Sequence, residues 1–312
     1  MILDVRDVKK VFSVRGKSDV IANDEITCNI NSGEIFGLFG HNGAGKTTLV
    51  NQILGVETPT SGEIRLLGES VAKSPARART LCSVQPQSQL PLGFLTPAQA
   101  VTLIGKMRLG SKHDVRRRME MLFELLDIGQ WAQTEGTRLS GGVRRLTAFC
   151  MAVIVPGKLV ILDEPTNDVD PVRRRRLWEA IRTLTDDGTS VILVTHNVLE
   201  AEKAVDRVAI LHQGKILAQG TPAEVKSRVK NQMRLELSLT DQWEEEMIPS
   251  WALSPHRSGE RMIFTVRPEQ IAVAAAWAEQ QVSEGRMMDF ALSPTTLEDV
   301  YIELTGKEIG AV

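Results

Sequence analysis

From residue 40 the chain reads Gly40-His41-Asn42-Gly43-Ala44-Gly45-Lys46-Thr47, which fills every position of the pattern G-x-x-x-x-G-K-[ST]. No other stretch limits the fold as tightly. Glycines at these spacings let successive backbone N–H groups curl around one phosphate with no Cβ in the way. Lys46 adds a point charge within reach of the outer phosphates, and the Thr47 hydroxyl is a ligand for Mg²⁺. Such a loop needs a buried strand before it and a helix N-terminus after it, facing the anion. Glu34-Ile35-Phe36-Gly37-Leu38-Phe39 reads as the strand, and Thr48-Leu49-Val50-Asn51-Gln52-Ile53-Leu54 as the helix. At about 7% glycine, a chance match in a chain of this length is on the order of one in a hundred.

A second segment points the same way. Leu159-Val160-Ile161-Leu162-Asp163-Glu164 is an apolar run ending in two carboxylates. Runs of this kind suit the centre of a parallel sheet, and the carboxyl ends of such strands hold the ligand in open α/β folds. Asp163 is then expected opposite Lys46, holding Mg²⁺ through water, and Glu164 is expected to polarise an attacking water. The alternative is a solvated Asp-Glu pair closing a strand, and the glycine loop weighs against it.

Together with further segments in the same order, these residues resemble the ATP-binding cassette family. Leu139-Ser140-Gly141-Gly142 matches that family's signature loop, shortly before the Asp163 strand. Gln87, after Val84-Gln85-Pro86, resembles the glutamine of the Q-loop, with Gln85 the competing choice. Asn167-Asp168-Val169-Asp170-Pro171 resembles the D-loop, and His196, closing the strand Val191–Thr195, resembles the switch histidine. Phe12 is the candidate for stacking on adenine. Two departures stand out: Val143 where the signature most often continues with glutamine, and His41 in place of a common proline.

The resemblance covers roughly residues 1–225 and implies an α/β P-loop NTPase cassette with an antiparallel β subdomain and an inserted helical subdomain. It implies ATP and Mg²⁺ as cofactors. Gly40, Asn42, Gly43, Ala44, Gly45, Lys46, Thr47 and Thr48 would surround the phosphates, with Thr47, Gln87 and Asp163 about the metal. Glu164 and His196 would be catalytic, His196 holding the γ-phosphate and the attacking water. In this family the loop and the signature of one subunit do not serve the same nucleotide. Ser140, Gly141 and Gly142 are therefore expected to bind the ATP of a second cassette, an identical one by the simplest reading. The resemblance thus implies an ATPase subunit of an exporter, peripheral at the cytoplasmic face of the membrane, with the pore in a separate transmembrane permease subunit. A soluble cassette ATPase with a regulatory or mechanical role is the alternative. Such proteins usually carry two cassettes or a long coiled coil, and neither is seen here.

Composition narrows the classes further. The 312 residues are 42% hydrophobic and 24% charged with net charge −2, so a general nucleic-acid binder, usually basic, is not expected. Cys28, Cys82 and Cys150 lack paired spacing, which suggests neither a zinc site nor a disulfide framework and fits a reducing cytoplasm. No apolar run reaches the ~18 residues a membrane span requires. Arg173-Arg174-Arg175-Arg176 and Arg116-Arg117-Arg118 span whole helical turns, so they cannot all face one partner; local ion pairs are expected.

Along the chain, residues 2–34 read as antiparallel strands and residues 88–150 as the helical insert, with helices at Ala98–Arg108 and Asp114–Leu126. Leu90, Leu92, Phe94 and Leu95 lie in a Pro/Gly-rich loop with no periodicity to bury them. Pro171–Thr185 and Asn197–Val205 read as helices, and His212-Gln213-Gly214-Lys215 as a hairpin turn. The cassette is expected to span 1–228, followed by a linker through Gln232 and a small α+β domain at 233–312. That domain reads as three strands, Met233–Thr240, Met262–Val266 and Arg286–Leu292, with helices at Pro268–Glu284 and Thr296–Leu304.

Overall fold

The computed structural model describes residues 1–13, 16, 18–88, 91–227, 232–244 and 247–305. They form two compact units, Met1–Gln219 and a second that begins at Gly220.

In the first unit, β1 (Leu3–Phe12) and β2 (Val20–Ile30) pair antiparallel; β3 (Ile35–Phe39) and α1 (Lys46–Ile53) follow. Next come β4 (Ser61–Leu66), β5 (Glu69–Ser70), α2 (Pro75–Leu81) and β6 (Cys82–Gln85). The helical insert holds α3 (Pro97–Met107), α4 (Lys112–Leu125) and α5 (Gly141–Val153). The unit then runs through β7 (Leu159–Asp163), α6 (Pro171–Asp186), β8 (Ser190–Thr195), α7 (Val198–Ala201), β9 (Arg207–His212) and β10 (Lys215–Gly220). Two sheets result, a four-stranded one ordered β2-β1-β4-β5 and a six-stranded one ordered β10-β9-β3-β8-β7-β6.

Every residue of β3, β7 and β8 is buried, as strands covered on both faces must be. The neighbours β9, β3, β8, β7 and β6 are parallel, so the chain leaves β3, β8, β7 and β6 at one common edge. The two sheets share one apolar core: Val5, Val8 and Ile26 from the antiparallel sheet pack with Phe36, Leu38, Ile161 and Ile192 from the parallel one.

Local chemistry fixes the helix ends. Thr96 and Gln99 form a capping box at α3 with Pro97 in its first turn, and Ser111 caps α4 by accepting from Asp114 N. Arg108, at the end of α3, donates to the carbonyls of Val155 at 2.7 Å and Cys82 at 3.0 Å, pinning the insert to the parallel sheet. In the loop before α3, Leu92 is buried whereas Phe94 is 81% exposed. Leu90 lies outside the described residues. The arginine run disperses as its spacing demands: Arg173 pairs with Asp127 and Asp170, both at 2.9 Å, and lies over the Trp131 ring, while Arg174 pairs with Glu200.

The helix expected over Asn197–Val205 is shorter in the structure. Asn197 is the cap, α7 closes at Ala201, and a turn carries the chain into β9. The β9–β10 hairpin has φ of 47° at Gln213 and 79° at Gly214, the left-handed pair that a two-residue turn of matching twist requires.

The second unit holds α8 (Pro222–Lys226), β11 (Met233–Leu239), β12 (Leu253–Ser258), β13 (Arg261–Val266), α9 (Ile271–Ser283), β14 (Met287–Pro294) and α10 (Leu297–Thr305). The expected linker falls largely on 228–231, outside the described residues. The sheet is antiparallel, ordered β12-β13-β11-β14. One face buries Leu235, Leu237, Met262 and Phe264 beneath Ala274 and Ala278 of α9, with Trp251 and Trp277 edge to face at 5.5 Å. Arg234 is tied to the buried Asp299 of α10 at 2.8 Å. Strand β12 is absent from the sequence reading. It is an edge strand interrupted at Ser254 (φ 46°) and Pro255, and a proline is tolerated there because an edge need not donate every N–H.

Candidate functional site

The loop after β3 is clamped from two sides. A Cβ at Gly40 would lie 2.3 Å from the carbonyl oxygen of Leu211, and one at Gly45 would lie 2.2 Å from that of Ala22. Both glycines also have positive φ, 153° and 104°, so close approach and backbone conformation exclude any other residue. The Asn23 side-chain amide donates to Gly45 O at 3.2 Å, and Gly214 N donates to Ala44 O at 3.0 Å. Strand β2 and the β9–β10 turn thus hold the loop from outside. Lys46 is buried and donates from Nζ to Gly40 O at 2.6 Å and His41 O at 3.0 Å. Its ammonium has one further N–H for a phosphate oxygen. Burial lowers the Lys46 pKa, and the charges of Glu164 and Asp163 oppose that shift. His41 turns aside, its ring edge to face with that of His212 at 5.0 Å.

Opposite the loop, β7 delivers its two carboxylates. Burial pushes the Asp163 carboxyl up to about 6; neighbouring Glu164 adds to the shift, while Lys46 and Arg145 oppose it. Glu164 is 2% exposed and has φ of 50°, a kink that turns its side chain toward β8. There it is held by three donors. Oε2 accepts from the Thr195 hydroxyl at 2.8 Å, Oε1 accepts from His196 N at 2.9 Å, and His196 Nδ1 lies 2.6 Å from Oε1. A carboxylate fixed in this way has one orientation, which a water-positioning group requires.

Between loop and carboxylates lies a cavity of about 360 Å³. Asn42, Gly43, Gly45, Lys46, Thr47, Thr48, Gln87, Asp163 and Glu164 all line it. Gln85, in contrast, is fully buried and donates to Arg145 O at 3.3 Å. Phe12 does not line the cavity: its ring is 36% exposed beneath the Lys10 ammonium, at 4.9 Å. Its partner across the strands, Val20, does line it, with Ile21 and Ala22. These three β2 residues escaped the sequence reading, and pairing with Phe12 was the one available pointer. Arg145 was also missed. It is 4% exposed and donates to the carbonyls of Gln87 at 2.8 Å and Pro86 at 3.2 Å, so it shapes the Gln87 loop from α5.

Ser140, Gly141 and Gly142 do not line this cavity. Ser140 caps α5 by accepting from Val143 N at 3.3 Å. Gly142 abuts the loop after Glu164: a Cβ there would be 2.5 Å from Asp168 O. His196, 43% exposed at its side chain, is also outside the lining.

Residues 23–167 match the family described as ABC transporter, and residues 134–202 match a model described as AAA domain, putative AbiEii toxin, Type IV TA system. Nod factor export ATP-binding protein I of Rhizobium sp. (strain N33) is 31% identical over 309 residues, 98% of each chain. The protein of that name from Rhizobium meliloti (strain 1021) is 33% identical over 97% of this chain and 88% of its own. The rat ATP-binding cassette sub-family A member 17 is 30% identical over 97% of this chain, which spans 18% of the rat protein. Among solved structures, an ATP-binding subunit of an ABC transporter superposes with a TM-score of 0.67 at 25% identity, over 73% of this chain and 93% of that one. A dimeric ATP-binding cassette in a post-hydrolysis state with ADP and Pi shares the fold, with a TM-score of 0.63 at 22% identity over 70% and 98% of the two chains. A likeness that runs nearly end to end, around a loop built to wrap phosphate, means that this chain belongs to the ATP-binding cassette family of ABC transporters, as a subunit that binds and hydrolyses ATP.

Proposed function

We propose that the protein powers export through a separate transmembrane chain and works as one of two cassettes, each ATP lying between the phosphate loop of one and the signature segment of the other. The observation carrying this reading is that Ser140–Gly142 belong to the same unit as Lys46 yet lie outside the cavity that Lys46 lines. The exposed Ser140, at the start of α5, is free to meet the nucleotide of a second copy. The rhizobial relatives are named for export, and their match extends through both units. Among the described residues no helix is long and apolar enough to cross a membrane. The pore then belongs to another polypeptide, and the kinship with exporter ATP-binding proteins, not that absence, supports a place for this chain at the cytoplasmic face.

In this reading the loop from Gly40 to Thr48 binds the phosphates, and Val20 and Ile21 bound the base side of the cavity near Phe12. The oxygen donors of Thr47, Gln87 and Asp163 converge on one cavity and fit Mg²⁺, which takes few protein ligands and fills the rest with phosphate and water. When bound, Mg²⁺ neutralises charge on the outer phosphates. Glu164 takes the proton of the attacking water or orients it, a role generally worth about 10²–10⁴ in rate. His196 holds Glu164 and, from the same strand end, the γ-phosphate.

Mixed dimers test the sharing. One subunit carries Ser140→Arg and the other Lys46→Ala. In the shared arrangement both changes fall on one nucleotide and leave the second site intact, so photo-crosslinked ATP appears at about half stoichiometry. Labelling of neither subunit would mean that each chain uses its own loop and its own signature, and the proposed pairing would be wrong.

A further inference from the structure

A continuous series of contacts runs from the signature segment to Glu164, and one ion pair that the chemistry does not use lies in the middle of it. Gly142 packs on Asp168 O so closely that a Cβ would come to 2.5 Å. The next residue, Val169, gives its carbonyl to Arg174 Nη2 at 2.9 Å. Arg174 Nη1 donates to Glu200 Oε1 on α7. Glu200 N donates at 3.4 Å to Oδ1 of Asn197, the cap of α7, and Asn197 N donates at 3.0 Å to the Thr195 hydroxyl. That hydroxyl donates to Glu164 Oε2 at 2.8 Å. The loop thus leads from the part of the cassette offered to one nucleotide to the carboxylate offered to the other.

We propose that the Arg174–Glu200 pair is a positioning strut that transmits the state of the signature segment and the Asp168–Asp170 loop to Glu164, coupling the two nucleotide sites of a cassette pair. The inference rests on the reading that Glu164 serves the nucleotide in its own cavity and Ser140–Gly142 serve the partner's. The strut has two arrangements available, which a relay needs. As it stands one nitrogen meets one oxygen, while Arg174 Nε and Glu200 Oε2 are buried without partners. Bidentate pairing that satisfies both uses Nε and Nη2, the two N–H groups on one side of the guanidinium, so it requires Nη2 to leave Val169 O and α7 to shift toward it. Helix α7 is only four residues long and is joined to His196 through its cap, Asn197, so that shift moves Asn197 and Thr195 and with them the Glu164 carboxylate. The two side chains are each 30% exposed, too solvated for a large share of the stability. A coupling role is separable from a structural one on that ground.

Charge exchange in the full-length protein tests the strut. Arg174→Glu and Glu200→Arg are each expected to lower kcat for ATP hydrolysis about 5–30-fold, the range of ordinary coupling between sites. Each also brings the Hill coefficient for ATP toward 1, with binding of a fluorescent ATP analogue to the single chain held within about twofold. The double exchange restores kcat to within about threefold and restores cooperativity. Glu200→Gln, isosteric and uncharged, covers the case in which a reversed charge disturbs folding; it lowers the Hill coefficient at an unchanged thermal midpoint. Single variants with unaltered kcat and Hill coefficient, or a double exchange no better than the product of the singles, would overturn the strut. Glu164→Gln run alongside separates the two layers. If it is inactive while the strut variants are normal, only the strut fails; if it hydrolyses ATP at the unmodified rate, the catalytic reading fails first.

Discussion

Asp163 ends a strand with no exposed residue, and its carboxyl is pushed up to about 6 because ionising it there strips water and sets it beside Glu164. A carboxyl whose folded pKa lies above its unfolded value near 3.8 stabilises the fold fully below about pH 4 and loses that contribution as pH rises through about 6. At neutral pH the ionised group therefore costs the fold on the order of 1–3 kcal/mol. Asp163→Asn is expected to raise the thermal midpoint at pH 7.5 in chelator-containing buffer, and the gain should vanish near pH 4. The same change should lower Mg²⁺-dependent ATP hydrolysis at least 10²-fold. Calorimetry at the two pH values checks the first part, and an equal gain at both would show that ionisation is not its source. The loop and carboxylates were legible because phosphate and metal dictate residue type at fixed spacing. Val20, Ile21 and Ala22 were not, since an apolar wall can be built from any small apolar residues. Its place after Pro86 favours Gln87 over Gln85 in the sequence, and β6 supplies the physical ground by burying Gln85 in the sheet while Gln87 lines the cavity.

At the scale of elements, α5 reaches further than its capped N-terminus. Arg145, one turn into that helix, donates from Nη1 to the Pro86 and Gln87 carbonyls, and its own carbonyl accepts from Gln85. The helix that presents the signature thus holds the loop that presents Gln87 to the cavity. Arg145→Met leaves two partly buried carbonyls without a charged donor, a loss of roughly 2–3 kcal/mol. The thermal midpoint should fall by roughly 5–10 °C, and kcat should fall while ATP affinity stays within about threefold. A midpoint unchanged in a thermal scan would show that the Gln87 loop stands without α5. Sequence periodicity found α6, and the sequence placed residues up to 150 in the helical insert, but neither could show this dependence, because a buried arginine in an apolar helix looks like any amphipathic position until the loop it meets is placed. Strand β12 was illegible for a related reason. Leu253-Ser254-Pro255-His256-Arg257-Ser258 has neither alternation nor strand-forming residues, and only its neighbour β13, with Met262 and Phe264 in the core, makes it a strand. Helix α7 was over-read because the apolar spacing of Val198, Ala201 and Val205 continues through a turn that keeps Val205 buried.

For the whole molecule, the question is what the second unit adds. Every described residue that lines the nucleotide cavity lies between Val20 and Glu164, within the first unit. Its core is small, an aromatic cluster of Trp243, Trp251, Trp277 and Phe264 over one sheet, and a unit of the span Gly220–Ala311 buries a smaller share of its surface on folding than a larger domain does. Pairing across a two-fold axis would stabilise such a unit by mass action and would hold two cassettes near each other before ATP joins them. The point of truncation follows from α8, which packs on α10 and buries Val225 completely; a cut at the end of the expected linker, after Gln232, would strand α8 without its partner. Ending the chain after Gly220 keeps β10 whole and removes α8 with the unit it packs in. A cassette of that extent keeps the whole apolar core shared by its two sheets, from Ile2 to Leu211, and the solved ATP-binding subunit is matched over 93% of its length by 73% of this chain. The truncated protein should bind ATP within about twofold of the full chain and self-associate at least tenfold more weakly without nucleotide. Sedimentation equilibrium of both proteins, with and without ATP, measures this. Equal association constants in the absence of ATP would leave the second unit no part in holding the cassettes together, and the contact that spans the pair would then have to lie within residues 1–219.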